Sequence, residues 1–320
     1  AREMASITKE RSRRNGTMEL ESNEPKFILN EDGICIDVQP RQTGESEQMI
    51  EQLMVTANQA AAKLAEKEHL PFVYRVHENP KSLKIETLIE LVSSLGLDFS
   101  GIKKENPSTA EFAAILDQAV GTPAQKIVSY QILRTMEKAR YATDPLGHFG
   151  LALADYCHYT SPIRRYPDTA IHRILTAFVN KKGRNYINEH YATYAQDSAT
   201  NSSEAEVKAL VAERSAEDCY MAEYMTQHIG EQFDGIISGV TNRGLFVQLT
   251  NSVEGFVPID TFVDSEFEFD GMMTQIDRLT GDKLTIGMPI RIQVVAADVS
   301  SGRIDFMPAS EVGKMIKENK

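Results

Sequence analysis

The chain is short of positive charge and of cysteine and has no long apolar run. Each shortage removes a class of protein. Thirty-four Lys and Arg face forty-six Asp and Glu, a formal net charge of −12. A general nucleic-acid coat is basic, so that class is excluded. An enzyme that confines positive charge to one cleft is not excluded. Cys35, Cys157 and Cys219 lie far apart, odd in number and without a C-x-x-C pair. That excludes a disulfide framework and a cysteine zinc site, and it points to reduced thiols in a cytoplasmic protein. There is no run of about 18 apolar residues, which excludes a membrane-spanning helix. The opening AREMASITKERSRRNG lacks the apolar centre of a signal peptide. It also lacks an initiator methionine, so a fragment of a longer protein is expected. Internal repeats and low-complexity tracts are missing too.

What is present is a chain of 320 residues, long enough for two domains. KFILNEDGICIDVQP alternates around Asp32-Gly33 and predicts a hairpin. Met49, Ile50, Leu53, Met54, Ala57 and Leu64 recur at helical spacing. PFVYRV reads as a short strand, and LKIETLIELVSSLG as a helix ended by Gly96. Ser108 and Glu111 predict a capping box, and Thr122-Pro123 opens the next helix. HFGLALADYCHY alternates like a strand. Ser161-Pro162 is an expected N-cap, and Ile171, Ile174, Leu175 and Phe178 share one face of the helix that follows. A long helix covers NSSEAEVKALVAERSAEDCYMAEYMTQHI. After His228 the character changes to about five short strands in roughly 80 residues, the pattern of a small closed barrel.

TSPIRRYPD concentrates chemistry. A helix start attracts anions. Thr160 and Ser161 add hydroxyl donors, and Arg164 and Arg165 add forks that grip phosphate oxygens. The alternative is a capped helix whose arginines pair with surface carboxylates. In the barrel segment, Phe233, Phe246 and Phe256 either stack on bases or fill the core. Arg243, at a turn, is a phosphate contact or a solvated loop residue. Between residues 231 and 310 there are five Lys and Arg against twelve Asp and Glu, a net of −7.

YRVHE (74–78), LGHFGLA, YTSPIRRYPD and HRIL, followed by the barrel pattern, resemble the ribonuclease II/ribonuclease R family, with bacterial ribonuclease R the nearer of the two. The similarity covers about residues 10–310. The resemblance implies an α+β fold: the C-terminal part of an RNB-type catalytic domain over 1–227, then a five-stranded OB-fold β-barrel of the S1 RNA-binding type over 228–310. A short polar tail, 311–320, ends the chain. It implies a cytoplasmic 3′→5′ exoribonuclease that hydrolyses single-stranded RNA to 5′-nucleotides with magnesium.

The resemblance implies a catalytic role for Arg164, stabilising charge on the scissile phosphate. It also implies RNA-binding roles for Arg165, Arg173, His172, Tyr166 and Ser161. Arg75 and His77 take the channel floor, with packing and salt-bridge roles equally open, and a satisfied helix histidine is open for His172. Glu51 and Gln52 fall where the family recognises the 3′ ribose, and Leu20 where it commonly has a stacking aromatic. Phe246, Phe256 and Arg243 take RNA on the barrel, where Pro258 replaces the family's usual histidine. The family's aspartate pattern D-x5-D-x-D-D is absent. Asp264 and Asp270 have the first spacing only, inside the barrel segment. The expectation is therefore that this chain's own residues bind no metal and that it is inactive alone. Two further readings stand beside that one. One is half of a split exoribonuclease whose partner chain carries the aspartates; the other is a non-catalytic RNA-binding adaptor.

Overall fold

The computed structural model describes residues 1–18, 24–41, 43–94, 96–98, 102–103, 105–122, 125–271 and 273–310. Its helices are α1 (Arg2–Arg14), α2 (Glu45–Glu68), α3 (Ser82–Ser94), α4 (Thr109–Ala119), α5 (Gln125–Thr135), α6 (Tyr166–Val179) and α7 (Arg184–Thr226). Its first strands are β1 (Pro25–Leu29), β2 (Cys35–Pro40), β3 (Tyr74–Val76) and β4 (Arg140–Ala142). The rest are β5 (Gln232–Thr241), β6 (Gly244–Leu249), β7 (Glu254–Pro258), β8 (Phe267–Phe269), β9 (Thr274–Asp277), β10 (Lys283–Thr285), β11 (Pro289–Asp298) and β12 (Arg303–Pro308). The described residues form two compact units, one from residues up to 18 and 43–209, the other from 24–41 and 210–310.

In the first unit, α2 is fixed at both ends. The Glu47 carboxylate accepts the Gly44 N–H at 2.6 Å, and His69 closes the helix in the left-handed conformation. Its inner face is Asn58, Ala61, Ala62 and Ala65. Those small side chains admit Phe72, Tyr74, Val76, Ile171 and Ile174 to one core. A second core joins Ile85, Leu88, Phe112, Ile115 and Ile132 from α3, α4 and α5. β3 pairs with β4, Tyr74 facing Ala142.

The expected strand over HFGLALADYCHY does not form. His148 makes only isolated bridges to His77 and Leu153, and Phe149–Leu151 is a 3-10 turn. Gly147 and Ala152 both have positive φ and turn the chain twice within six residues. Ser161-Pro162 is not a helix cap either. α6 begins after Arg165, with proline in its first turn. Residues 161–165 are a preceding turn in which the Ser161 carbonyl accepts the N–H groups of Arg164 and Arg165. Ser108 precedes α4 without a side-chain cap. Its expected partner, Glu111, instead accepts the Lys103 N–H. Thr122 closes α4 by donating to the Ala119 carbonyl at 2.7 Å. Pro123, Leu20 and the tail 311–320 lie outside the described residues.

In the second unit, β5, β6, β7, β12 and β11 close a five-stranded barrel, and β8, β9 and β10 form a small side sheet. Gly255 is required on β7, since a Cβ there would collide with the Phe306 ring. The barrel core of Ile237, Leu245, Val247, Val257, Ile292 and Phe306 also takes in Cys35 and Val38 of the expected hairpin, and Ala222 and Met225 of α7. This unit therefore extends beyond the 228–310 segment, because the apolar faces of β2 and the last turns of α7 enter the same core.

Candidate functional site

The arginine turn is built from two buried polar anchors. The first is Asp168 on α6, with no exposed surface. Its Oδ1 accepts the Ser161 N–H at 2.7 Å. The Arg165 guanidinium donates to both its oxygens, each at 2.9 Å. Three donors thus converge on one buried carboxylate. The second anchor is Asn58 on α2, 3% exposed. Its Oδ1 accepts the N–H groups of Tyr159 and Thr160 at 2.9 and 3.2 Å, and its amide donates to the Tyr156 hydroxyl at 3.1 Å. The Asn58 carbonyl accepts the Cys157 thiol.

These bonds sort the two arginines. Arg165 turns inward and spends its fork on Asp168, a buried carboxylate and not the surface one that the paired reading expects. Arg164 is exposed, and among the described residues no carboxylate pairs with it. A cleft of about 540 Å³ is lined by Ser46, Glu47, Ile50, Glu51, Met54, Val55, Asn58, Leu151, Tyr156 and Arg165, and Arg164 is not among its lining residues. The α2 residues among them follow helical spacing on one face. Glu51, not Gln52, is on that wall. The Gln52 Oε1 is buried without a partner.

Tyr156, held by Asn58, belongs to a row of rings in edge contact. His77 meets His148 at 5.1 Å, His148 meets Tyr156 at 5.2 Å, and Tyr156 meets His158 at 5.8 Å. Burial pushes all three histidines toward the neutral form, His148 to about 3. His77 Nδ1 accepts the Gly150 N–H at 3.0 Å, which requires a neutral ring. Arg75 pairs with Glu206 at 2.6 Å and lies over the Tyr141 ring. Arg75 and His77 are thus fastened by their own contacts and are not among the cleft's lining residues.

On the outer side of α6, the Arg173 guanidinium donates to the Tyr194 hydroxyl at 3.1 Å, and that hydroxyl is 3.2 Å from the Tyr166 hydroxyl. His172 bonds the Tyr159 carbonyl and stacks on the Tyr159 ring at 4.3 Å, the satisfied arrangement.

On the barrel, Phe246 is 38% exposed and pairs with Phe256 at 5.2 Å. Gly239 lies beside the Phe246 ring and Gly244 beside Phe256, where a Cβ would crowd the rings. Phe233 packs against the barrel core. Arg243 stands at the turn between β5 and β6, exposed and unpaired among the described residues.

A magnesium ion held by aspartates does not fit the described residues. Among the described residues no group of three His, Cys, Asp or Glu is placed to hold a metal. Both oxygens of Asp168 are occupied by Arg165. Asp270 caps a turn, accepting the N–H groups of Met273 and Thr274. Sequence reasoning missed Asn58, Asp168 as an anchor, and Tyr194. Asn58 interrupts an alanine-rich helix face, the one signal that pointed to it.

An RNB domain model matches residues 1–181, and an S1 RNA binding domain model matches residues 226–307. Ribonuclease R 1 of Lactococcus lactis is 36% identical over 305 residues, covering 95% of this chain and 37% of that protein. The apo form of Mycoplasma genitalium RNase R superposes with a TM-score of 0.89 at 28% identity, covering 95% of this chain and 48% of that one. The same enzyme in complex with ribose methylated single-stranded RNA superposes at 0.88, again with 28% identity and coverages of 95% and 48%. This chain thus spans less than half the length of these relatives. It belongs to the ribonuclease II/ribonuclease R family, with RNB and S1 domains.

Proposed function

We propose that this chain supplies the arginine side and the S1 barrel of a 3′→5′ exoribonuclease that hydrolyses single-stranded RNA to 5′-nucleotides. By itself it binds RNA and cleaves nothing. The exposed Arg164, neutralised by no carboxylate among the described residues and carried on the turn that Asp168 ties down, carries this reading. A guanidinium held on a braced turn is already oriented when charge develops on a phosphate. Arg165 and Asp168 brace that turn, while Glu51 and Tyr156 bound the cleft. Magnesium and its aspartate ligands come from outside these 320 residues, on the same polypeptide or on a separate one. One arginine donor is worth about 3–4 kcal/mol of barrier, far below what phosphodiester hydrolysis needs. The expected result with magnesium and single-stranded RNA is retention without release of nucleotides. Processive release by the chain alone refutes the reading. Restored release on adding a chain that bears D-x5-D-x-D-D supports the split arrangement. Failure of the two to co-purify counts against it.

The three unpaired thiols support a reducing, cytoplasmic setting. Among the described residues no helix is long and apolar enough to cross a membrane.

The barrel's five Lys and Arg against twelve Asp and Glu favour a second reading, an RNA-binding adaptor with sparse phosphate contact. Stacking then carries the barrel's affinity. Phe246→Ala is expected to weaken single-stranded RNA binding by about 1–3 kcal/mol, roughly five- to 150-fold by anisotropy. A flat dependence of affinity on salt favours the adaptor, and a steep one favours the arginine cleft.

A further inference from the structure

Arg173, Tyr194 and Tyr166 form a three-member unit that the cleft does not include. Arg173 and Tyr166 come from α6, and Tyr194 comes from α7. The Tyr194 hydroxyl takes the Arg173 donor at 3.1 Å and meets the Tyr166 hydroxyl at 3.2 Å. The Arg173 guanidinium also lies 5.7 Å over the Tyr194 ring. No carboxylate pairs with Arg173 among the described residues, so its charge is held in place without being neutralised. A tyrosine hydroxyl can fix a guanidinium by one N–H and leave the other donors outward. Tyr166 is 52% exposed, and its ring meets the Tyr194 ring edge-on at 6.5 Å. One unneutralised fork and one exposed ring, joined through a single hydroxyl, suit one nucleotide: phosphate on Arg173 and base on Tyr166.

We infer that Tyr194 is a positioning residue that holds Arg173 and Tyr166 together as a contact for one nucleotide of single-stranded RNA outside the cleft. This rests on the proposed RNA-binding function. Without the hydroxyl, Arg173 samples many rotamers and Tyr166 loses its hydrogen bond, so each binding event must order both side chains.

The test is a binding cycle in the full chain, using a fluorescent oligouridylate at several salt concentrations. Tyr194→Phe keeps the ring and removes the bridging oxygen. It is expected to weaken binding about three- to tenfold with an unchanged melting temperature. Arg173→Ala is expected to lower the salt slope by about 0.7, the value of one phosphate on a single strand. Adding Tyr194→Phe to Arg173→Ala is expected to change the salt slope no further. Tyr166→Phe probes the unit from its other side and is expected to weaken binding less than Tyr194→Phe, since Arg173 keeps its partner. Equal effects of Tyr194→Phe with and without Arg173, or no effect at all, overturn the inference alone. Failure of the unaltered chain to bind the oligonucleotide overturns the functional reading beneath it.

Discussion

Arg165→Ala is expected to destabilise the first unit by about 3–5 kcal/mol, while Arg164→Ala leaves its stability within about 0.5 kcal/mol. The two residues are adjacent and chemically identical, so only their surroundings separate them. Asp168 has no exposed surface, and Arg165 supplies two of the three donors that compensate its charge. Removing that fork leaves a buried carboxylate with one backbone N–H. The turn of residues 161–165 then loses the tie that sets its position on α6. For a unit of this size the loss corresponds to roughly 6–20 °C in melting temperature. Arg165→Lys is expected to recover only part of it, because an ammonium does not span two carboxylate oxygens as a planar fork does. Thermal unfolding of the three variants decides the matter. Equal melting temperatures for Arg164→Ala and Arg165→Ala would remove Asp168 as the brace. The comparison also protects functional assays, since only Arg164→Ala reports on phosphate contact without a folding penalty.

Elements with strong local signals were legible in the sequence. α2 follows from the spacing of Ile50, Met54 and Leu64. The hairpin follows from alternation around Asp32-Gly33, although its loop is widened by Asn30, whose side chain accepts two backbone N–H groups. The barrel follows from short alternating runs between turn residues. The failures share a cause. Alternation in HFGLALADYCHY reflects rings buried against His77 and Tyr156, not ladder pairing, and a period of two does not distinguish the cases. Ser161-Pro162 and Ser108 have the composition of caps, but their segments bond elsewhere. Asp168 reads as an ordinary first-turn acid, favourable at any helix start. Its pairing with Arg165 depends on Ser161 folding back over α6. Tyr194 is 28 residues from Tyr166, so nothing local announces their meeting.

Mild acid is expected to unfold the first unit in the window where histidine, and not yet carboxylate, titrates. His77, His148 and His158 are all pushed below the usual imidazole range, chiefly by burial. Above about pH 6.5 the rings are neutral in both the folded and the unfolded chain, and they add no pH dependence. Below that, the unfolded chain takes up protons that the folded chain refuses. Stability therefore falls as pH falls, by up to about 1.4 kcal/mol per pH unit for each ring. For His148, held to about 3, the loss between pH 6.5 and pH 5 is roughly 2 kcal/mol. His158 adds a loss of similar size. The geometry specifies how protonation acts. His77 Nδ1 accepts the Gly150 N–H, and a protonated ring has no lone pair for it. Arg75 adds positive charge beside both His77 and His148, and neighbouring histidines repel one another once charged. His158→Gln keeps a polar side chain without a titrating group, so the slope of melting temperature against pH between 5 and 6.5 is expected to flatten. Melting temperatures that stay constant across that interval in the unaltered chain would show that the rings become charged in the folded state at little cost, which would refute their burial as neutral groups.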